Sequence, residues 1–199
     1  QITQRFDEAE NDTAVTAIVI QGAGKAFGAG ADIKWFVDKI KADKITDIVD
    51  FTRRGHELIL KIENSAKLTI AVLDGVSLGG GSELAMACQA IIATPSGSFG
   101  FPEPGIGIFP GLGGMLRMAR FAGPELAKYY VFTGFPINAA DAQALGIVTR
   151  LVEPAAVQSA IDELVSGQKP EKYRQTDLPE KFAILARVCS SENVAKLLA

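Results

Sequence analysis

Three short apolar runs limit what this chain can fold into. Residues 14–20 (AVTAIVI), 68–73 (LTIAVL) and 90–94 are each the length of a strand, and β-branched residues dominate the first. Runs without polar alternation are the mark of strands covered on both faces. A glycine-rich loop follows each run, over 22–32, 74–81 and 95–114, and helical patterns follow the loops. Residues 46–64 carry an apolar stripe at Ile48, Val49, Phe51, Leu58, Ile59 and Ile62. Gly79-Gly80-Gly81-Ser82 opens a helix running to Cys88, and further helices are predicted over 114–121 and 124–133. Strands alternating with helices predict an α/β fold with largely parallel pairing.

The ends are read the same way. Residues 1–10 form an amphipathic helix broken at Asn11-Asp12. Asn138 caps a helix over 139–145 that Gly146 ends. A strand over 147–152, a helix from Pro154, a polar linker-like stretch over 167–181 and a last helix over 182–198 complete the chain. The expected organisation is a core over 1–166 and a linker with C-terminal helix over 167–199.

Composition narrows the class. Of 199 residues, 48% are hydrophobic and 22% charged, which is enough to build one core and too little charge for a disordered chain. A net charge of −3 lacks the basic excess of a nucleic-acid binder. No apolar run approaches the roughly 18–20 residues of a membrane span. Two distant cysteines, Cys88 and Cys189, do not make a disulfide framework and point to a reducing cytoplasm. With His56 they make a poor zinc ligand set, so no metal is expected.

The loops carry the chemistry. Gly22-Ala-Gly24 would need glycine at 27 to bind a dinucleotide, and Phe27 stands there. Gly75-Val-Ser77-Leu-Gly79 matches the G-x-S-x-G of a serine hydrolase between strand and helix. That chemistry needs an imidazole after the serine, and the single histidine, His56, precedes it. Glu83 is more telling. It stands in the first turn of a helix apolar nearly all round, just after three glycines whose N–H groups are free donors. A second acid, Glu103, is fixed between Pro102 and Pro104 among Phe99, Phe101, Ile106, Ile108 and Phe109. Apolar surroundings raise a carboxyl pKa and suit it to proton exchange near neutrality.

The strings AFGAGADIK (26–34), DGVSLGGGSELAMACQ (74–89), FGFPEPGIGIFPGLGG (99–114) and VFTGFPINAADAQALGIVTRLVEP (131–154) resemble the crotonase, or enoyl-CoA hydratase/isomerase, superfamily. The likeness runs over residues 5–155. It implies a spiral of ββα units, C-terminal oligomerisation helices, homotrimers or dimers of trimers, and a coenzyme A thioester as substrate, with no separate cofactor. It implies an oxyanion hole from the N–H groups of Ala31 and Gly80. By position, Glu103 would exchange the proton at C2 and Glu83 would activate the water that attacks C3 of a trans-2-enoyl-CoA, giving a 3-hydroxyacyl-CoA. Ala29 would meet the adenine, while Asp32, Ile33 and Lys34 would line the CoA site. Lys34 and Lys25 would meet CoA phosphates, and Gly111 would approach the water or the acyl chain. Trp35, Phe36 and Phe109 either shape the acyl pocket or serve the core. The family carries a longer N-terminal part, with a further strand and an A-L-N-like segment, so residues ahead of Gln1 are expected. The polar C-terminal stretch is similar to modules fused behind a 3-hydroxyacyl-CoA dehydrogenase. Three rivals stay open: an isomerase using Glu103 alone, a non-catalytic CoA-binding or assembly module, and the serine hydrolase.

Overall fold

The structure, a computed structural model, describes residues 1–173 and 177–192. Helix α1 (Ile2–Asn11) leads to strands β1 (Ala17–Gln21) and β2 (Ala26–Gly28), then to helices α2 (Ile33–Lys41) and α3 (Ile45–Glu63). The next turn is β3 (Leu68–Leu73), β4 (Val76–Leu78) and α4 (Gly80–Ala87). The third is β5 (Ala90–Ala93), β6 (Ser98–Gly100), a 3₁₀ turn over Glu103–Ile106, α5 (Gly114–Ala122) and α6 (Pro124–Thr133). Then come β7 (Ile137–Asn138), α7 (Ala139–Ala144), β8 (Arg150–Leu151), α8 (Val157–Ser166) and α9 (Glu180–Val188). Each turn gives one strand to each of two sheets, ordered β1-β3-β5-β8 and β2-β4-β6-β7. Among the described residues, only β7 runs antiparallel to its neighbour. The result is a spiral of ββα units.

The central strands explain the first sheet. In β3, Ile70 and Val72 face one side, with Ala90 and Ile92 of β5, and meet Ala160 and Leu164 of α8. Ala71, Leu73, Ile91 and Ala93 face the other side and join the main core with Met86, Phe99 and Phe101. Two covered faces account for apolar runs without alternation. Each isoleucine so buried contributes about 1.5–3 kcal/mol relative to an exposed one.

The second sheet departs from the sequence reading. Strand β2 lies inside the expected 22–32 loop, and β4, β6 and β7 lie in stretches read as turns or loops. These strands are two or three residues long; Ser77 pairs in parallel with Gly28 on one side and Phe99 on the other, and β7 pairs antiparallel with β6. The strand expected over 147–152 shrinks to Arg150–Leu151. Ile147 and Val148 donate instead to the Ala142 carbonyl at the end of α7, at 2.8 and 3.1 Å, after Gly146 turns the chain. The last helix begins at Glu180, and its expected part over 193–198 lies outside the described residues. No helix among the described residues is long and apolar enough to cross a membrane.

Candidate active site

Two turns from separate ββα units meet at the start of α4. Gly79 caps this helix at φ 52°, ψ −122°. Its N–H donates to the Gly100 carbonyl at 2.9 Å, and its carbonyl accepts from Glu83 N at 3.0 Å. The N–H of Gly80, first in the helix, has no acceptor within it and sits at the positive end of the helix dipole. The loop after β2 presses on this turn. A Cβ on Gly30, at φ +82°, would lie 3.2 Å from Leu78 O and 3.9 Å from Gly80 N. A Cβ on Gly81 would overlap the Gly28 carbonyl. Ala29 and Ala31 flank Gly30 on this loop, both exposed.

Both acids lie close to the start of α4, near enough for the charge of Glu83 to act on Glu103. Glu83 is only 2% exposed, and its Oε1 accepts from Leu112 N at 2.7 Å and Gly114 N at 2.8 Å. A Cβ on Gly114 would come within 2.9 Å of Glu83 Cγ, so the 111–114 turn closes tightly over this side chain. Burial pushes the Glu83 carboxyl above its usual range, against the pull of the Gly114 and Leu112 amides and the Arg117 charge. Glu103 opens the 3₁₀ turn, with Oε1 2.5 Å from where a Gly79 Cβ would stand. Its Oε2 is buried without a hydrogen-bond partner. Burial raises its pKa, its own N–H opposes, and the negative charge of Glu83 raises it further. Glu83 thus accepts from two amides of a distant loop, whereas Glu103 keeps one buried oxygen without a donor. Such a pair titrates jointly.

The profile of the enoyl-CoA hydratase/isomerase family matches residues 1–196. The chain belongs to that family. It is 38% identical over 160 residues to the short-chain-enoyl-CoA hydratase of Clostridium acetobutylicum, covering 80% of this chain and 60% of that one. It is 39% identical over 155 residues to the crotonyl-CoA hydratase of Syntrophomonas wolfei, covering 77% and 58%. Among solved structures, the enoyl-CoA hydratase from Thermoplasma volcanium matches with a TM-score of 0.75 at 33% identity, covering 84% of this chain and 66% of that one. The chain therefore spans about 60% of the length of the curated relatives it matches.

Other residues of this enoyl-CoA hydratase/isomerase chain fall where the loops put them. Asp32 caps α2, its Oδ1 accepting from Trp35 N at 3.2 Å. Ile33 and Lys34 are exposed on the first turn of α2, with Lys34 paired to Asp38 at 2.6 Å. Gly111 is half-buried, and a Cβ there would meet nothing closer than Phe109 O at 3.9 Å. Phe109 is 64% exposed on the rim of this turn, whereas Trp35 and Phe36 stack with Phe51 between α2 and α3. The serine-hydrolase reading is overturned. Ser77 is the middle residue of β4 and fully buried, and His56 is exposed on α3. A nucleophile must be within reach of its substrate, and this hydroxyl is sealed from the surface.

Sequence reasoning missed the support beneath the site. Arg117 is buried in α5 beside Glu63, the last residue of α3. Lys172 and Tyr173, from the stretch read as a polar linker, reach the same carboxylate. Burial pushes Lys172 down to about 8, with the Glu63 charge opposing. A signal was present. Gly114, Arg117, Met118, Phe121 and Ala122 form the buried stripe of α5, and an arginine on such a stripe needs a buried acid.

Proposed function

We propose that this chain hydrates short trans-2-enoyl-CoA thioesters to 3-hydroxyacyl-CoA, with Glu83 and Glu103 as the acid–base pair. The observation that carries the reading is the contrast between the two carboxyls at the Gly79–Gly80 turn. Glu83, held by two amides, acts as the carboxylate. Glu103, with an orphaned buried oxygen, acts as the neutral acid. Two amides and the Arg117 charge pull against the burial of Glu83, while the Glu83 charge adds to the rise at Glu103, and in this reading that contrast assigns base and acid.

In this reading the thioester oxygen accepts from the N–H groups of Ala31 and Gly80. Glu83 takes a proton from water as its oxygen bonds to C3. The electron pair of the double bond moves toward the carbonyl, giving an enolate whose charge the two amides and the α4 dipole stabilise. Each such donor is worth roughly 3–4 kcal/mol. Glu103 then gives its proton to C2, and passage of the proton from Glu83 to Glu103 resets the pair. Ala29 and Asp32 on the loop after β2, with Ile33 and Lys34 on the first turn of α2, would hold the CoA portion, and Gly111 leaves space for the water or acyl chain. The names of the two curated relatives support a short acyl chain. A homotrimer or dimer of trimers, a cytoplasmic setting and a fusion to a dehydrogenase belong to the same proposal.

Crotonyl-CoA tests it. Hydration removes the conjugated enoyl absorbance and yields 3-hydroxybutyryl-CoA by mass. Binding without turnover would favour the CoA-binding module. Turnover of a 3-enoyl-CoA that survives Glu83→Gln would favour the isomerase.

A further inference from the structure

Glu83 does not hold its amide donors unaided. Leu112 donates one of them, and the Leu112 carbonyl accepts from Arg117 Nη1 at 2.9 Å. Arg117 Nη2 reaches Glu63 Oε2 at 2.5 Å. The guanidinium therefore ties the 111–114 turn, through one nitrogen, to the end of α3 through another. Gly113, at φ +92°, leaves it room, since a Cβ there would lie 2.6 Å from Nη1. Glu63 is itself held from three more sides. Tyr173 Oη donates to its Oε1 at 2.6 Å, while Lys172 Nζ and Arg120 Nη1 stand 3.5 and 3.7 Å away. Lys172 also donates to the Ala87 carbonyl at the end of α4, at 2.7 Å.

We propose that Arg117 is a positioning residue for the water-activating carboxylate. Anchored on Glu63, it fixes the Leu112 and Gly114 amides on Glu83 and supplies the positive charge that favours the ionised acid. The inference rests on the hydratase reading for what that carboxylate does. A planar fork suits this work, because its two nitrogens serve two acceptors in a set geometry. A lysine carries the charge but reaches as a single point. A buried ion pair kept for stability alone would also use these contacts, so the test must separate the two.

The charged and titratable groups around Glu83 are Arg117 from α5 and Glu103 from the 3₁₀ turn. Behind Arg117 stand Glu63, Arg120, Lys172 and Tyr173. With Arg117 removed, the Glu83 carboxylate loses the stabilising charge of that guanidinium and the acid limb of kcat/KM must move to higher pH. Arg117→Gln and Arg117→Lys are measured on the whole chain with crotonyl-CoA across that limb. Arg117→Gln is expected to lower kcat by about a hundredfold, as a misplaced group does. KM should stay within about threefold, since uniform binding is untouched. Arg117→Lys should return the acid limb to its wild-type position while kcat stays reduced. Unchanged kcat in both variants overturns the proposal. So does a joint change of kcat, KM and Tm with a fixed acid limb. Carboxyl ¹³C titration, with the Glu83 signal assigned by its loss in Glu83→Gln, gives a second readout. If the wild-type chain fails to hydrate crotonyl-CoA, the hydratase reading falls. The titration still decides the role of Arg117: a Glu83 signal unmoved by Arg117→Gln overturns it, and an upward shift supports it. Should Arg117→Gln fail to fold, Arg117→Lys carries the test, and wild-type kcat there overturns the proposal.

Discussion

The Glu103 carboxylate lies against the bare Cα of Gly79, with Oε1 2.5 Å from where a methyl group would be. The cap that starts α4 thus also seats the acid. Gly79→Ala meets two penalties: its φ of 52° disfavours a side chain, and the methyl displaces Glu103. Strain of this kind costs about 1–3 kcal/mol. Urea unfolding should show the loss, and kcat for crotonyl-CoA should fall by about a hundredfold as Glu103 moves.

Gly81→Ala strikes backbone rather than a movable side chain. The new methyl overlaps the Gly28 carbonyl, so β2 and α4 must part. Overpacking costs about 1–3 kcal/mol. The loop bearing Ala31 separates from Gly80, and kcat/KM should fall more than Tm alone accounts for. Wild-type kcat/KM in a folded variant would count against convergence of these two amides.

Glu83→Gln and Glu103→Gln should each fold, because the amide oxygen of glutamine still accepts the Leu112 and Gly114 donors at position 83. Each should lose hydration by about 10² to 10⁴, the range for acid–base groups. Circular dichroism checks the fold, and single-turnover hydration checks the chemistry.

Glu103 and Glu63 shape stability against pH in opposite directions. Burial lifts Glu103 above its ordinary value of 4.5, with the Glu83 charge adding to the lift. The folded chain therefore binds this proton more tightly than the unfolded chain. Stability falls as pH rises from the ordinary value through the raised one, and levels off above it. Glu103→Gln removes this loss, so the Tm of the variant relative to wild type should climb with pH over that window. Glu63 runs the other way. Burial raises its pKa, but Tyr173 and Arg117 outweigh it and the net shift is down. Its stabilisation is present above the unfolded value and fades as pH falls through the folded one. Tm measured from acid to neutral pH checks both signs.

Ser77→Ala should keep hydration within about threefold and hold or raise Tm. The hydroxyl is buried without a partner, and removing an unsatisfied group costs nothing in hydrogen bonding. Fluorophosphonate should label no serine at this position. Labelling would restore the hydrolase reading.

The first sheet was legible because its determinants are local. Ile70, Ala71 and Val72 announce a covered strand by composition alone, and Gly79-Gly80-Gly81 announces a helix start with free amides. The second sheet was not, since two or three residues such as Val76–Leu78 have no period to read and hold only by pairing across the chain. The acids divided in the same way. Sequence determined which carboxyls exist and that both lie in apolar company. Only tertiary structure decided how each is held, because the amides of Leu112 and Gly114 reach Glu83 from a distant loop while Glu103 Oε2 stays buried without a partner. A carboxyl takes its charge state from neighbours in space, and those neighbours are fixed by packing rather than by adjacency along the chain.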